Sequence, residues 1–242
     1  MRLSGKNCVF ERLRTNPRSI KKIQIQEGFP NAGYLYKKGK QWGIPIVSIP
    51  KFKMEKMSRN VNTQGILMDV EDFQYTPYED LLEHAYEKNK GLLFLDNLND
   101  PQNLGAIIRT LGCLGHFSLV LPTHDSVSVT ETVLRIASGG DNHVAVAQVA
   151  NLNKAIVMAK SQGFKIAGAV VEGGQPIFDV ALSFPLGLVI GSEQKGIRDV
   201  VREQLDYEIT IPMAQASLSF NVAHAITIFC YETIRQKKQN KK

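Results

Sequence analysis

The chain is predicted to adopt an α/β fold built on a parallel sheet. From residue 90 onwards, apolar strand patterns alternate with helix patterns, an arrangement typical of right-handed βαβ units. The segments 91–95 and 186–190 are apolar along their whole length, as expected of strands covered on both faces. With 43% apolar residues in 242, the chain can bury the core that such a fold requires.

Residues 1–76 are predicted to form a smaller α/β unit in front of the parallel-sheet domain. Its helices are expected at 7–14, 34–42 and 52–57, and its strands at 20–25, 44–49 and 65–70. Residues 77–89 mix turn formers with an acidic helical pattern over 78–86. We predict that 77–89 is a linker between the two domains.

The second domain, residues 90–242, is predicted from alternating period-2 and period-3.6 patterns. Its strands are expected at 91–95, 117–121, 144–149, 164–171, 186–190 and 207–211. Its helices are expected at 103–114, 129–137, 152–161, 197–203 and 218–235. The lysine-rich tail 237–242 is expected to be disordered.

The positive charge of the chain is concentrated at its two ends. Residues 1–76 contain 14 basic and 6 acidic residues, whereas residues 77–232 contain 10 basic and 17 acidic ones. Lysines interleaved with Tyr34, Tyr36 and Trp42 suit phosphates and stacked bases, which indicates RNA as a partner. The alternatives are an ordinary solvated lysine-rich surface and aromatic side chains that pack in the core.

Several classes of protein are disfavoured by what the sequence contains. Residues 1–6 lack the apolar stretch of a signal peptide and no apolar run is long enough to span a bilayer, so a soluble cytoplasmic protein is expected. The three cysteines, which are widely spaced, are expected to be buried free thiols rather than metal ligands. A P-loop and a Gly-x-Gly-x-x-Gly motif are both missing, which argues against a nucleoside triphosphatase and a standard dinucleotide site.

A polar loop and an apolar helix follow the strand 91–95. Asp100 or one of its polar neighbours is predicted to cap this helix, with Pro101 in its first turn. Asn103 and Arg109 are six residues apart, and we expect them roughly on one helix face with Arg109 deeper. An arginine among apolar neighbours needs an anionic partner, such as a phosphate, or a route to solvent.

Two further turns each follow a strand of the buried type. The first reads Gly-Ser-Glu-x-x-Gly at 191–196, and the second begins Ile-Pro-Met at 211–213 and continues to Ser-x-Asn-Val-Ala at 219–223. Open α/β sheets bind ligands at the carboxyl ends of their strands, so the active site is predicted at this edge. Ser219 and Asn221 could alternatively serve only to cap the last helix.

In order and spacing, these three segments resemble the SpoU (TrmH-like) group of RNA 2′-O-ribose methyltransferases, which belong to the SPOUT class. The motif of the first segment is Asp-Pro-x-Asn-x-Gly-Ala-x-x-Arg at 100–109, and the other two are those at 191–196 and 211–223. The resemblance covers residues 90–235. More loosely, residues 1–76 are similar to the ribosomal-protein-like substrate-binding domain that many relatives carry.

The resemblance implies an S-adenosylmethionine-dependent enzyme that acts on RNA as a homodimer and carries a C-terminal trefoil knot. A metal is not needed, because methyl transfer from a sulfonium requires mainly a well-positioned ribose hydroxyl. Arg109 is expected to activate that hydroxyl through a neighbouring phosphate. By motif position, the cofactor-binding residues would be Gly191, Ile211, Met213 and Phe220, and the catalytic and RNA-facing residues Asn103, Arg109, Glu193, Ser219 and Asn221.

Two positions depart from the family pattern: Gln215 stands where glycine is usual, and Phe220 where leucine is usual. Since Gln215 could disturb the cofactor loop, the alternative hypothesis is an RNA-binding or ribosome-assembly protein that keeps the fold without turnover. Ribosomal RNA is the expected substrate because a basic domain precedes the catalytic one, and transfer RNA is the alternative. His224 is expected to serve helix packing or a dimer interface.

Overall fold

The N-terminal unit contains a four-stranded mixed sheet and three helices. The computed structural model describes residues 1–58, 61–192, 194–215 and 218–239. The sheet has the order β1-β4-β2-β3, in which β2 is parallel to β3 and antiparallel to β4. Its strands are β1 (Arg2–Ser4), β2 (Ile20–Gln26), β3 (Ile46–Ile49) and β4 (Ile66–Val70), and its helices are α1 (Lys6–Thr15), α2 (Ala32–Trp42) and α3 (Lys51–Ser58).

Strand β1 was not predicted from the sequence. It has three residues, too few to display the alternation of apolar and polar positions that identifies a strand. It forms because its backbone pairs with β4, with Leu3 opposite Met68. Pairing of residues that are 65 positions apart depends on tertiary structure, which a local sequence pattern does not contain.

The second domain has a parallel sheet with helices on both faces, as predicted, but the sheet has seven strands in the described part of the chain rather than the six predicted, because the two-residue β9 pairs with β11. The strand order is β7-β6-β5-β10-β8-β11-β9 and every neighbouring pair is parallel. The strands are β5 (Gly91–Leu95), β6 (Phe117–Pro122), β7 (Val146–Val149), β8 (Lys165–Ala169), β9 (Gln175–Pro176), β10 (Leu186–Ile190) and β11 (Tyr207–Thr210). The helices are α4 (Tyr78–Glu87), α5 (Pro101–Leu114), α6 (Glu131–Ala137), α7 (Leu152–Ser161), α8 (Asp199–Arg202) and α9 (Val222–Gln239).

Alternate residues of the central strand β5 enter two separate apolar layers. Leu93 and Leu95 pack in the layer that contains α5, α6 and α9. Leu92 and Phe94 pack in the layer that contains α4, α7 and α8. The sheet is thus covered on both faces, which is why its strands read as continuous apolar runs.

The last helix differs from its prediction at both ends. It begins at Val222 rather than 218, because the Asn221 side chain accepts a hydrogen bond from the Ala223 amide at 2.9 Å and caps the first turn. At the other end, the prediction of a disordered tail was wrong for residues 237–239, which are helical. The Lys237 ammonium lies 4.1 Å from the Phe184 ring centroid and donates to the Asn89 carbonyl. Residues 240–242 lie outside the described part of the chain.

In the segment predicted to be a linker, α4 packs as an integral layer of the second domain. Tyr78, Leu81, Leu82 and Ala85 are buried against the sheet. The Tyr78 hydroxyl donates to the Ala155 carbonyl on α7 at 2.7 Å. The acidic residues that suggested a linker occupy the exposed face of this amphipathic helix.

The two domains share one apolar core. Leu3, Val9 and Leu13 of the first pack in the same cluster as Leu134 of α6. Across this contact, Arg12 forms an ion pair with Asp141, whose side chain is 1% exposed. The N-terminal domain is therefore held in a fixed orientation on α6 and on the short 3-10 turn Gly140–Asn142.

Candidate active site

A cavity opens at the carboxyl edge of the parallel sheet, where β8, β10 and β11 end. Its volume is about 390 Å³, which falls in the range of small-molecule sites in proteins. The wall opposite the strands comes from α9, through Val222, Ala225 and Phe229. Where parallel strands end side by side, the loops that follow them can surround a ligand. This cavity lies among such loops.

The segment after β10 forms the tightest wall of the cavity. Ser192 and Gly196 exchange two backbone hydrogen bonds, at 3.2 and 2.9 Å, and the Lys195 amide donates to the Ser192 hydroxyl at 3.1 Å. Gly191 lies so close to the returning chain that a Cβ there would be 2.0 Å from the carbonyl carbon of Gly196. Only glycine fits. Glu193, predicted to be catalytic, lies outside the described residues.

Asp96 anchors the far end of this loop. Its side chain is fully buried after β5, and its carboxylate accepts from the Arg198 amide at 2.9 Å and from the Arg198 guanidinium at 2.7 Å. A buried carboxylate is tolerated only when charge and hydrogen bonds satisfy it. The sequence analysis overlooked this pair, although an acidic residue directly after a wholly apolar strand was the available signal.

Replacing Asp96 with asparagine is expected to destabilise the protein by about 2 kcal/mol, because the buried acceptor of the Arg198 amide and of the partly exposed Arg198 guanidinium would lose its charge. Urea unfolding measures the change. Asp69→Asn is the matched control, since Asp69 pairs with Arg2 at 2.7 Å but both side chains are partly exposed. The Asp69→Asn substitution should lower the free energy of unfolding by less than about 1 kcal/mol. Equal losses in the two variants would show that Asp96 is not a structural anchor.

The third wall is the segment that joins β11 to α9. Ile211, Met213, Ser219 and Phe220 all line the cavity, and Phe220 stays 44% exposed at its mouth. Four of the residues that the family resemblance singled out here are thus neighbours in space. Gln215 is exposed and is not a lining residue.

Asn103 and Asn221, two other predicted site residues, meet next to the cavity. The Asn221 side-chain amide donates to the Asn103 side-chain carbonyl at 2.9 Å. Asn103 is on the first turn of α5. The N-cap of this helix is Asp100, as predicted, and the Asp100 carboxylate accepts a hydrogen bond from the Gln102 amide at 2.8 Å. This contact joins the N-terminal ends of α5 and α9.

Arg109 is exposed, so the prediction that it lies deeper than Asn103 was wrong. Asn103 is 8% exposed, and Arg109 is on the solvent side of α5. Six residues in an α-helix turn the chain by about 600°, which leaves the two side chains about 120° apart. Arg109 does not line the cavity of its own chain. Within the described ranges, no carboxylate lies at ion-pair distance from its guanidinium.

Three charged lining residues were missed by the sequence analysis: Glu172, Lys195 and Arg202. The Arg202 guanidinium is already engaged by Glu208, with contacts of 2.5 and 2.6 Å, and that hydrogen-bonded pairing holds the pKa of Glu208 below its ordinary value. Glu172 comes directly before Gly173-Gly174 at the end of a strand. An acid followed by two glycines at such a place was a usable signal.

The N-terminal domain exposes aromatic and basic side chains together. Tyr34, Tyr36 and Trp42 on α2 are between 42% and 46% exposed, and Phe52 on α3 is 70% exposed. The alternative that the three predicted aromatics pack in the core was therefore wrong. The exposed lysines on these two helices are Lys37, Lys40, Lys51, Lys53 and Lys56.

The cysteines differ from their prediction at one position. Cys8 and Cys230 are buried, as expected, and burial raises the pKa of the Cys8 thiol to about 12. Cys113 is exposed on α5, because it lies one helical turn after Arg109 on the same solvent side. Among the described residues, no group of three or more histidine, cysteine or acidic side chains could hold a metal ion, and no helix is long and apolar enough to cross a membrane.

Sequence comparison matches both domains to known families. Residues 90–231 match the SpoU rRNA Methylase family, and residues 2–76 match the RNA 2′-O ribose methyltransferase substrate-binding family. A Bacillus subtilis protein, whose name places it in the TrmH family of tRNA/rRNA methyltransferases, is 33% identical over 237 residues. That match covers 96% of this chain and 94% of the relative.

Solved structures share the fold across nearly the whole chain. An AdoMet-bound rRNA methyltransferase from Sinorhizobium meliloti superposes with a TM-score of 0.81 at 22% identity, covering 97% of this chain and 86% of that one. The SpoU methyltransferase AviRb from Streptomyces viridochromogenes, in complex with AdoMet, gives 0.81 at 20% identity, with 99% and 91% covered. The two family matches cover residues 2–76 and 90–231, and the chain belongs to the SpoU (TrmH-like) family of RNA methyltransferases.

Proposed function

We propose that this protein transfers the methyl group of S-adenosylmethionine to a ribose 2′-hydroxyl in ribosomal RNA. The observation that carries the proposal is the cavity at the sheet edge, which gathers Gly191, Ile211, Met213 and Phe220 from two separate family motifs. When bound, S-adenosylmethionine supplies an electrophilic methyl carbon on a sulfonium. The remaining chemistry is orientation and charge, which the protein must provide.

The lining of the cavity suits this cofactor. Apolar surface from Ile211, Val222 and Phe229 can receive a purine ring and a thioether chain, while exposed charges at the rim suit an amino acid and a ribose. The close approach of Gly191 to Gly196 leaves backbone groups, rather than a side chain, at the wall. The volume of about 390 Å³ is sufficient for a ligand of this size.

The polar residues beside the cavity would position the RNA. The Asn103–Asn221 hydrogen bond fixes two amide groups at the N-terminal ends of two helices, where anions are favoured. A guanidinium can bind a phosphate bidentately, so the proposed role of Arg109 is to hold the phosphate next to the target ribose and orient the hydroxyl for attack. Ser219, at the cavity wall, and Glu193 remain proposed members of this set.

A homodimer is part of the proposal. The exposed sides of α5 and α9 form one surface, here called the α5/α9 face. The two helices meet on this face at Thr110 and Thr227, whose hydroxyl oxygens are 3.4 Å apart. On α9 this face presents His224 and Tyr231, the latter 63% exposed. Arg109 is also exposed on α5, outside its own cavity. Pairing of two such faces would bring Arg109 towards the cavity of the other subunit.

Ribosomal RNA is proposed over transfer RNA because a complete extra domain carries a basic and aromatic surface. Exposed aromatic side chains next to lysines can stack on unpaired bases while the lysines contact phosphates. The fixed attachment of this domain, through Arg12 and Asp141, would hold a bound RNA in one orientation to the cavity. Extended contact surfaces of this kind suit a large folded RNA.

The alternative of an inactive RNA-binding protein depended on Gln215. Gln215 is not among the described non-glycine residues with positive φ, so no left-handed backbone requires glycine at this position. Its carbonyl accepts a hydrogen bond from the Leu218 amide at 3.2 Å. This geometry gives the inactive alternative no support.

Two measurements on the purified protein test the proposed function. Calorimetric titration with S-adenosylmethionine should show saturable binding. Incubation with tritiated cofactor and RNA from cells that lack the protein should then label ribosomal RNA at a ribose, which is read as resistance of one linkage to alkaline cleavage. Label in transfer RNA instead would change the substrate, label on a base would refute 2′-O transfer, and the absence of cofactor binding would refute the enzyme.

A further inference from the structure

Glu172 occupies a defined place at the cavity. It follows β8, the strand that lies beside β10 in the sheet, and so it faces the same edge as the Gly191 loop. The backbone around it is held to β11: the Val170 amide donates to the Ile209 carbonyl at 2.9 Å, and the Thr210 hydroxyl donates to the Val171 carbonyl at 3.0 Å. Glu172 is therefore a cavity-lining residue in a backbone segment that is hydrogen-bonded to β11.

The two glycines after Glu172 fix the turn that follows it. Gly173 has a φ of +79°, a left-handed conformation that side chains seldom adopt. At Gly174, a Cβ would lie 2.6 Å from Val170 Cγ2 and 2.9 Å from the Ile209 carbonyl carbon. The turn thus packs directly on its neighbours, which leaves little freedom for the backbone of Glu172.

The charge of Glu172 is not used within the described part of the chain. It is exposed, and no ion pair or side-chain hydrogen bond engages its carboxylate there. By contrast, Arg202 at the same cavity is held bidentately by Glu208. The lining therefore offers a carboxylate from the β8 side and an ammonium, Lys195, from the loop after β10.

We propose that Glu172 binds the ribose diol of the cofactor. This inference rests on the proposed function and assigns a part of the cofactor to a residue outside the family motifs. A carboxylate has two acceptor oxygens, which match two adjacent hydroxyl donors. An acidic residue at the end of a strand near a glycine turn reads ribose hydroxyls in other α/β sheets. Lys195, on the other loop, is left for the α-carboxylate of the methionine part.

Binding measurements with part-ligands test this assignment without any turnover. S-adenosylhomocysteine, methylthioadenosine, adenosine and 2′-deoxyadenosine would be titrated into the full chain and into Glu172→Gln. Methylthioadenosine keeps the ribose and lacks the amino acid. The variant should weaken both S-adenosylhomocysteine and methylthioadenosine about tenfold, because a charge-assisted hydrogen bond is lost in each.

The comparison of adenosine with 2′-deoxyadenosine, in the original protein and in Glu172→Gln, gives a thermodynamic cycle for the contact between Glu172 and the 2′-hydroxyl. The original protein should prefer adenosine about tenfold, and Glu172→Gln should show a smaller preference, since an uncharged amide with a single acceptor oxygen replaces the carboxylate. Glu203→Gln, an exposed acid that does not line the cavity, is the charge-matched control and should behave as the original protein. Thermal unfolding of each variant confirms that it is folded.

The outcomes separate the assignment from the proposed function. If Glu172→Gln weakens S-adenosylhomocysteine but not methylthioadenosine, Glu172 binds the ammonium of the methionine part and the ribose assignment is overturned. If all four ligands bind the variant as they bind the original protein, Glu172 has no part in cofactor binding. If the original protein binds none of them, the proposed function itself fails together with this inference.

Discussion

Arg109→Ala is expected to reduce methyl transfer about a thousandfold while cofactor affinity stays within about twofold. The rate should fall because a fixed positive charge near the reacting ribose is lost, and such charges supply several kcal/mol of transition-state stabilisation. Affinity should persist because Arg109 does not line the cavity of its own chain. Single-turnover methylation and calorimetry with S-adenosylhomocysteine measure the two quantities separately.

Lys154→Ala is the matched control for Arg109→Ala. Lys154 is an exposed cation on α7, in the helical layer on the other face of the sheet. Its loss should leave both rate and affinity unchanged, which separates a local effect from a change in net charge. An Arg109→Ala variant as active as the Lys154→Ala control would remove Arg109 from the mechanism.

Mixed dimers show which cavity Arg109 serves. Arg109→Ala subunits keep an intact cavity, and Gly191→Ala subunits keep an intact arginine. If the arginine acts on the partner's cavity, a random mixture of the two inactive proteins should regain about a quarter of the original activity, since half of the dimers would have one complete site. If it acts within its own chain, the mixture should stay inactive.

Gly191→Ala is expected to weaken cofactor binding about a hundredfold or more, corresponding to about 2.7 kcal/mol. A Cβ there would lie 2.0 and 2.2 Å from the carbonyl carbon and oxygen of Gly196, and 2.3 Å from the Ile197 nitrogen. These are all backbone atoms, so no rotation of a side chain can relieve the overlap. The loop would have to open, losing the paired hydrogen bonds between Ser192 and Gly196.

The control for Gly191→Ala is Gly33→Ala on α2. No atom lies within 4 Å of a Cβ at Gly33, and its φ is not in the left-handed region. Alanine is a better helix former than glycine, so this variant should bind the cofactor normally and gain up to about 1 kcal/mol of stability. Calorimetry and thermal unfolding report both effects. Normal cofactor binding by folded Gly191→Ala would show that the loop after β10 is not the cofactor wall.

Most of the longer strands and helices were predictable because the hydrophobic patterns that identify them are local. Apolar runs in β5 and β10 and the 3.6-residue pattern of α5 can each be read from a short window. The motifs at 191–196 and 211–223 were likewise identifiable, and the structure gathers most of their predicted residues around one cavity. In contrast, β1 and β9 are too short for any pattern to mark them.

The depth of a side chain was less predictable than the element that carries it. Asn103 and Arg109 are six residues apart, one third of a turn short of two full turns, and this difference decides which of them faces the core and which the solvent. Likewise, the acidic pattern of α4 describes its exposed face and does not reveal that Tyr78 and Leu82 are buried. Such outcomes depend on which neighbour each helix meets.

By itself, the sequence of this protein determined most of its longer strands and helices, the parallel sheet and the segments that line the cavity. Periodicity, glycine turns and helix caps each depend on a few consecutive residues, so they can be identified from the sequence. Only the tertiary structure decided that Asp96 holds Arg198, that Glu172 reaches the cavity, and that Arg109 faces outward. These relations join residues far apart in sequence, and they are set by packing, whose free energy depends on the whole assembled core.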